Sequence, residues 1–139
     1  MPYSTQSDLE LFFGARNIAA WSNLDRSTAA ADTDRIAEAI AQADAEIDSR
    51  FRNSRFAVPL TGDDVSTIVK GWSARLAGAW LYDARPMSEA EDEGASSRVD
   101  KHKANAHAEM SAVLSGARKP SLGASSSRGA TAPTFVTSE

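Results

Sequence analysis

Between Asp32 and Phe51 the apolar residues Ile36, Ile40, Ala43, Ile47 and Phe51 recur at intervals of four, three, four and four. On a 3.6-residue helix this keeps them within a stripe about 100° wide, so the stretch must be an amphipathic helix with something packed along one side. Asp32 or Thr33 starts it, because a short polar side chain there can accept from the first unpaired amides. Pro59 ends the region, since proline disfavours helical geometry in the residue before it and has no amide hydrogen. A third helix is then expected from an Asp63 or Asp64 cap to about Ala84, with Val65, Ile68, Val69, Trp72, Leu76 and Trp80 on one side and Pro86 beyond its end.

The flanks are read in the same way. Ser4 or Thr5 caps a short first helix carrying Leu9, Phe12 and Phe13, and Gly14 stops it in a left-handed conformation. A brief helical turn covers Ile18 to Trp21, and "SNLDRSTAAAD" reads as a loop. "MSEAEDEGASS" is acidic, polar and glycine-containing and reads as an exposed loop with room for helical turns. A fourth helix runs from Ser97 to Ser115 with Val99, Ala106, Met110, Val113 and Leu114, and Gly116 caps it. The expected fold is all-α: a small bundle of about four helices over residues 1–116, then a long, extended and flexible C-terminal arm over 117–139. The arm is rich in Ser, Gly, Ala and Pro, too poor in apolar groups to pack as a core.

Composition narrows the function. At 139 residues the chain suits one domain with one modest core. With 42% hydrophobic and 24% charged residues it resembles an ordinary globular protein. No apolar run approaches the length that a bilayer requires, and "MPYSTQSDLE" has neither the basic start nor the apolar stretch of a secretory signal. Zero cysteines exclude disulfides and thiolate chemistry. A net charge of −4 argues against a surface that grips phosphate backbones throughout.

Chemical constellations are scarce. His102 and His107 are five residues apart, about 140° around a helix, so they cannot share a metal, and both are expected to face solvent. There is no Gly-x-Ser-x-Gly elbow and no phosphate-cradling glycine cluster. Asp44 and Asp48 lie side by side at a four-residue spacing, but no further oxygen ligands accompany them, so no metal and no cofactor is expected. Glu46 with Arg50, and Asp48 with Arg52, make acid-before-base pairs worth a few tenths of a kcal/mol each, roughly. Arg50, Arg52 and Arg55 gather where positive charge meets the negative end of the helix dipole.

The third helix carries an unusual face. Gly71 and Gly78 are seven residues apart and share it with Ala74, Arg75 and Tyr82, about 140° from the Trp72, Leu76 and Trp80 face. Glycine inside a helix costs about 1 kcal/mol relative to alanine, so the pair implies that another backbone passes close by. The helix is covered on two sides, either as the middle of a bundle or, on its glycine face, by a neighbouring subunit.

Several short motifs then carry a resemblance. The start "YSTQSDLELFFG", the Asp-Ala-x-Ile-Asp helix from Asp44 to Asp48, the aromatic and "VPL" from Phe56 to Leu60, the helix "GWSARLAGAWLYDARP" and the late "KPSLG" together resemble the small head-tail connector, or adaptor, family of tailed bacteriophages and Mu-like prophages. The resemblance spans about Met1 to Gly123. It implies an all-helical, non-enzymatic virion protein, made in the bacterial host cytoplasm and located in the neck. It further implies a homo-oligomeric ring, typically of twelve, beneath the portal, with the portal and the tail or stopper protein as partners, and DNA passing through without sequence-specific binding.

On this reading Asp44, Asp48, Gly71, Arg75, Gly78, Leu122, Phe135 and Val136 are expected at subunit or portal interfaces. Glu89, Glu91, Asp92 and Glu93 are expected to line or rim the channel. Twelve copies at −4 would carry about −48, and such a wall repels phosphates. The alternative is a small helical DNA-binding module of a phage or host regulator, using the corner at Pro59 and the Arg50 to Arg55 cluster. Its corner is too long for a helix-turn-helix.

Overall fold

The stripe from Ile36 to Phe51 forms one long helix in a computed structural model of the chain, which describes residues 2–23, 30–84 and 93–124. Five α-helices occur among them: α1 (Gln6–Phe13), α2 (Ala15–Ser22), α3 (Thr33–Phe51), α4 (Lys70–Ala84) and α5 (Glu93–Ser115). The fold is all-α, as expected. Its β-structure, among the described residues, is a single antiparallel bridge between Phe56 and Ala124.

The starts of α1 and α3 and the glycines after α1 and α5 fall where the sequence places them. Thr5 precedes α1, its amide donating to the Asp8 carboxylate at 2.8 Å. The Asp32 carboxylate accepts from the amides of Asp34 and Arg35 at 3.1 and 3.2 Å at the start of α3. Gly14, at φ 91°, ends α1 and at once begins α2, so Ile18 to Trp21 lie in a full helix rather than a brief turn. Gly116, at φ 90°, follows α5 in the left-handed region that glycine enters without strain.

Two boundaries differ from expectation. Helix α4 is entered through a π-helical turn, Val65–Val69, in which the Asp64 carbonyl accepts from the Val69 amide at 3.3 Å as well as from Ile68 at 2.8 Å. The Asp64 carboxylate does not cap this turn; it accepts from the Ser121 amide at 2.6 Å. Helix α5 starts at Glu93, four residues before the Ser97 expected from the sequence. Gly94 is the one poor helix former there, and its cost of about 1 kcal/mol does not offset continuation of the helix.

Helix α4 is the centre of the bundle, packed by α3, α5, α1 and α2. Trp72 is fully buried and stacks on Phe51 of α3, with ring centroids 5.6 Å apart and planes 18° from parallel. Around them lie Ile36, Ile40 and Ile47 of α3, Val69 and Leu76 beside Trp72, and Val99, Met110 and Val113 of α5. Fully burying one such aliphatic side chain contributes about 1.5–3 kcal/mol. The two covered sides of the third helix are therefore supplied within one chain.

Between α3 and α4 the chain makes a long corner, residues 52–64. Arg52 leaves the helix in extended geometry, Asn53 takes φ 67°, Val58–Pro59 is a cis peptide, and Leu60 is buried. This corner is where both ends of the described chain arrive.

Candidate functional site

The N-terminal end reaches the corner through a polar latch. The Tyr3 amide donates to Asp44 Oδ2 at 3.0 Å, and the Tyr3 hydroxyl donates to Asp48 Oδ1 at 2.5 Å. That hydroxyl also accepts from the Leu60 amide at 2.8 Å. Ser73 Oγ of α4 donates to Asp44 Oδ1 at 2.6 Å and shares a hydrogen bond with Ser4 Oγ, also at 2.6 Å. Ser4 and Ser73 are buried, and their hydroxyls satisfy each other.

The helical spacing does put Asp44 and Asp48 side by side. What they hold is the chain's own Tyr3. Asp48 is thus engaged by Tyr3 in place of the expected Arg52. Burial pushes the Asp44 carboxyl above its ordinary value, against the opposing hydrogen bonds from Ser73 and Tyr3. Burial, then the Asp48 hydrogen bond, raises the Tyr3 phenol. Among the described residues no group of three or more His, Cys, Asp or Glu side chains could hold a metal.

The C-terminal end reaches the other side of the corner. The Ala57 amide donates to the Gly123 carbonyl at 2.9 Å, the Gly123 amide to the Thr61 carbonyl at 2.7 Å, and the Asp64 amide to the Ser121 carbonyl at 3.1 Å. Leu122 is partly buried against the core. Ser121 to Ala124, within the stretch expected as a flexible, extended arm, are thus paired with the corner. Composition misses this because the segment is held by main-chain pairing rather than apolar area. Phe135 and Val136 lie outside the described residues.

On α4, Gly78 is buried beneath a ring. A Cβ added there would stand 2.0 Å from Phe13 Cε2. A side chain of α1, rather than the expected backbone, lies against this glycine. At Gly71 the nearest atom to an added Cβ is Phe12 Cζ at 3.9 Å, an ordinary contact within the same chain. Arg75 is half-buried, its guanidinium 4.9 Å over the Phe12 ring and 3.6 Å from Glu109 of α5. Glu109 also accepts from Trp72 Nε1 at 3.0 Å. Arg75 thus ties α4 to α1 and α5.

The histidines are not two solvent-facing side chains. His102 sits edge-on to Phe12 and Phe13, with centroids 5.7 and 5.0 Å away. His107 Nε2 lies 2.8 Å from Glu46, which also pairs with Arg50 at 3.2 Å as its spacing predicted. Burial, with Arg75, Arg98 and Lys101 nearby, holds the His102 pKa below its ordinary 6.5. Such a depressed group contributes stability above pH 6.5 that is lost as pH falls through the folded value. Urea unfolding of wild type and His102→Gln should therefore show wild type losing stability relative to the variant below about pH 6.5; a widening wild-type advantage would contradict this environment.

One arginine of the cluster caps a helix end, while Arg50 pairs with Glu46 along α3. Arg55 donates from Nη1 to the Leu114 carbonyl at 3.0 Å and from Nη2 to the Val113 carbonyl at 2.5 Å, capping α5 rather than its own α3. Arg35 does the same for α4, donating to the Ala84 carbonyl at 2.9 Å. Arg55→Ala is expected to cost about 1 kcal/mol and to speed amide exchange in the last turn of α5. Arg55→Lys recovers part of this, since an ammonium cannot fork to two carbonyls. Unchanged exchange would remove the capping role.

An open groove of about 580 Å³ runs beside α3 and α4, with Ala43, Leu76, Ala79 and Trp80 among its lining. Its acids are engaged: Glu46 as above, Asp83 with Lys103 at 3.7 Å. Of the acidic residues expected to rim a channel, Glu89, Glu91 and Asp92 lie outside the described residues, and Glu93 opens α5. No described helix is long and apolar enough to cross a membrane.

Sequence reasoning missed Tyr3, Ser73, Thr61, Gly62 and Gly123. Pro59 did mark the end of α3's region, but nothing local shows that both chain ends close on the corner that follows. The family model described as "Bacteriophage Mu, Gp36" matches residues 3–136. No curated protein matches the chain.

Proposed function

We propose, from the premise that this chain belongs to the bacteriophage Mu Gp36 family, that it is the head-tail connector of a Mu-like phage. Membership makes it a phage structural or morphogenesis protein. The finer reading is a non-enzymatic adaptor that assembles as a ring of about twelve under the portal. It joins the filled head to the tail or stopper within the virion neck and lets DNA pass through its channel.

The observation that carries the reading is the family match over residues 3–136, which takes in all the connector-like motifs from "YSTQSDLELFFG" to "KPSLG". The chemistry of the body supports it in two ways. Its carboxylate pair, its histidines and two of its clustered arginines are engaged in holding the subunit together. The net charge of −4 suits a wall past which phosphates slide without adhering.

Mixing the purified protein with the portal of the same phage tests this. Electron micrographs are expected to show a ring added below the portal. Failure of the two to associate at any salt concentration, or tight retention of duplex DNA with a steep salt dependence, would contradict it.

A further inference from the structure

A ring needs something to join its members, and the described body leaves little apolar surface for the purpose. Leu11, 83% exposed, is its one large exposed hydrophobic side chain. The glycine face of α4 is filled by Phe12 and Phe13 of the same chain. What the fold does contain is a clamp with a detachable occupant.

The clamp is the corner, and the occupant is Ser121 to Ala124. Main-chain bonds hold the segment at Ala57, Thr61 and Asp64, and the Asp64 carboxylate takes the Ser121 amide. The fit is close enough to be selective. A Cβ on Gly123 would stand 2.2 Å from Thr61 Oγ1, and one on Gly62, itself at φ 115°, would stand 2.5 Å from the Ser121 carbonyl oxygen. Yet little anchors the occupant apart from these bonds. Residues 117–119 are exposed and link it to Gly116, and Leu122 is its one side chain packed on the core. Segments with many exposed main-chain bonds and few apolar contacts open at low cost, without global unfolding.

We infer that the clamp of one subunit receives residues Ser121 to Ala124 of a neighbouring copy, and that this exchange joins the ring; the inference rests on the connector reading. Every bond made within the chain is remade between chains, so exchange needs no new surface. The donor segment and the acceptor corner are different patches. The contact is therefore head-to-tail, the kind that closes a circle when repeated. An opened clamp presents unpaired main-chain groups, to which an extended segment of the same sequence adds as a strand.

Phe56 and Ala124 face each other in an antiparallel bridge. Such pairs lie about 4.5–5.5 Å apart at Cα, within disulfide range, and the chain has no cysteine of its own. Phe56→Cys/Ala124→Cys protein is oxidised when dilute, and again after concentration or mixing with portal, and run on non-reducing gels. The inference predicts closed single chains in the dilute sample and a reducible ladder of linked chains in the assembled one. Assemblies that form but contain only closed single chains overturn the exchange and leave the connector reading standing. No assembly of the native protein under any condition overturns both.

A chain ending at Lys119 guards against a variant that merely misfolds. It is expected to retain its helical circular dichroism and to remain monomeric where full-length protein assembles. Assembly of this truncated chain equal to that of the full chain would also overturn the exchange.

Discussion

Replacing Gly78 with valine should destabilise the protein by about 3 kcal/mol, while replacing Gly71 with alanine should stabilise it by about 0.5–1 kcal/mol. The two glycines occupy the same helix and the same face, so composition and spacing assign them one role. Their surroundings differ. The Phe13 ring, which an added Cβ at Gly78 would strike, is wedged between Trp21 and His102 with centroids 5.5 and 5.0 Å away. Only 8% of Phe13 is exposed, so the ring has nowhere to retreat. Overfilling a packed core forces side chains off their rotamers. A Cβ at Gly71 meets its nearest neighbour at 3.9 Å. There the gain in helix propensity and the reduced freedom of the unfolded chain act alone. Thermal unfolding should show the midpoint falling by about 10 °C for Gly78→Val and rising by a few degrees for Gly71→Ala. Losses of similar size at both positions would contradict the packing described.

The latch should give the second large effect. Tyr3→Phe leaves the Leu60 amide without its acceptor and Asp48 without its donor, at a cost of about 2–3 kcal/mol. Asp44→Ala strands the Tyr3 amide and the Ser73 hydroxyl together, at about 2–4 kcal/mol. Asp44→Asn keeps an acceptor oxygen and should cost less.

The pH dependence has an unusual sign, because the folded pKa of Asp44 is raised by burial rather than lowered by a cation. Its contribution is fully present below the ordinary 3.8 and is lost as pH rises through the folded value. The stability of wild type minus that of Asp44→Asn should therefore shrink as pH climbs from about 4 toward neutrality. A difference that grew would mean that the carboxylate, not the carboxyl, is the favoured form. Tyr3 behaves likewise at the alkaline end. Its phenol is raised from 10.0, so its contribution falls away as pH rises beyond about 10, and Tyr3→Phe should lack that loss.

These residues also show what a sequence can and cannot disclose. The Ile36 to Phe51 stripe, the Asp32 cap and Gly14 and Gly116 are local facts, settled by spacing and by single side chains, and they stand as read. Tyr3 is 45 residues from Asp48 and 57 from Leu60, so its latch depends on how helices are arranged and carries no local mark. Of the two glycines, only Gly78 has a close neighbour, and it is not the expected backbone. A missing side chain says that something is near, not what it is, and the neighbour is an aromatic ring of α1. His102 was misjudged for the same reason: its own helix is polar around it, and the rings that cover it come from elsewhere. Arg55 had a helix end to cap, but that of α5. The segment from Ser121 to Ala124 escaped notice because composition measures apolar area, whereas main-chain pairing is open to any sequence that fits.

Cryo-electron microscopy of necks from intact virions tests the central claim most directly. The account predicts the five-helix body repeated around a closed ring between portal and tail. A neck fully accounted for by other proteins, with this chain absent from the particle or present as isolated single copies, would contradict it.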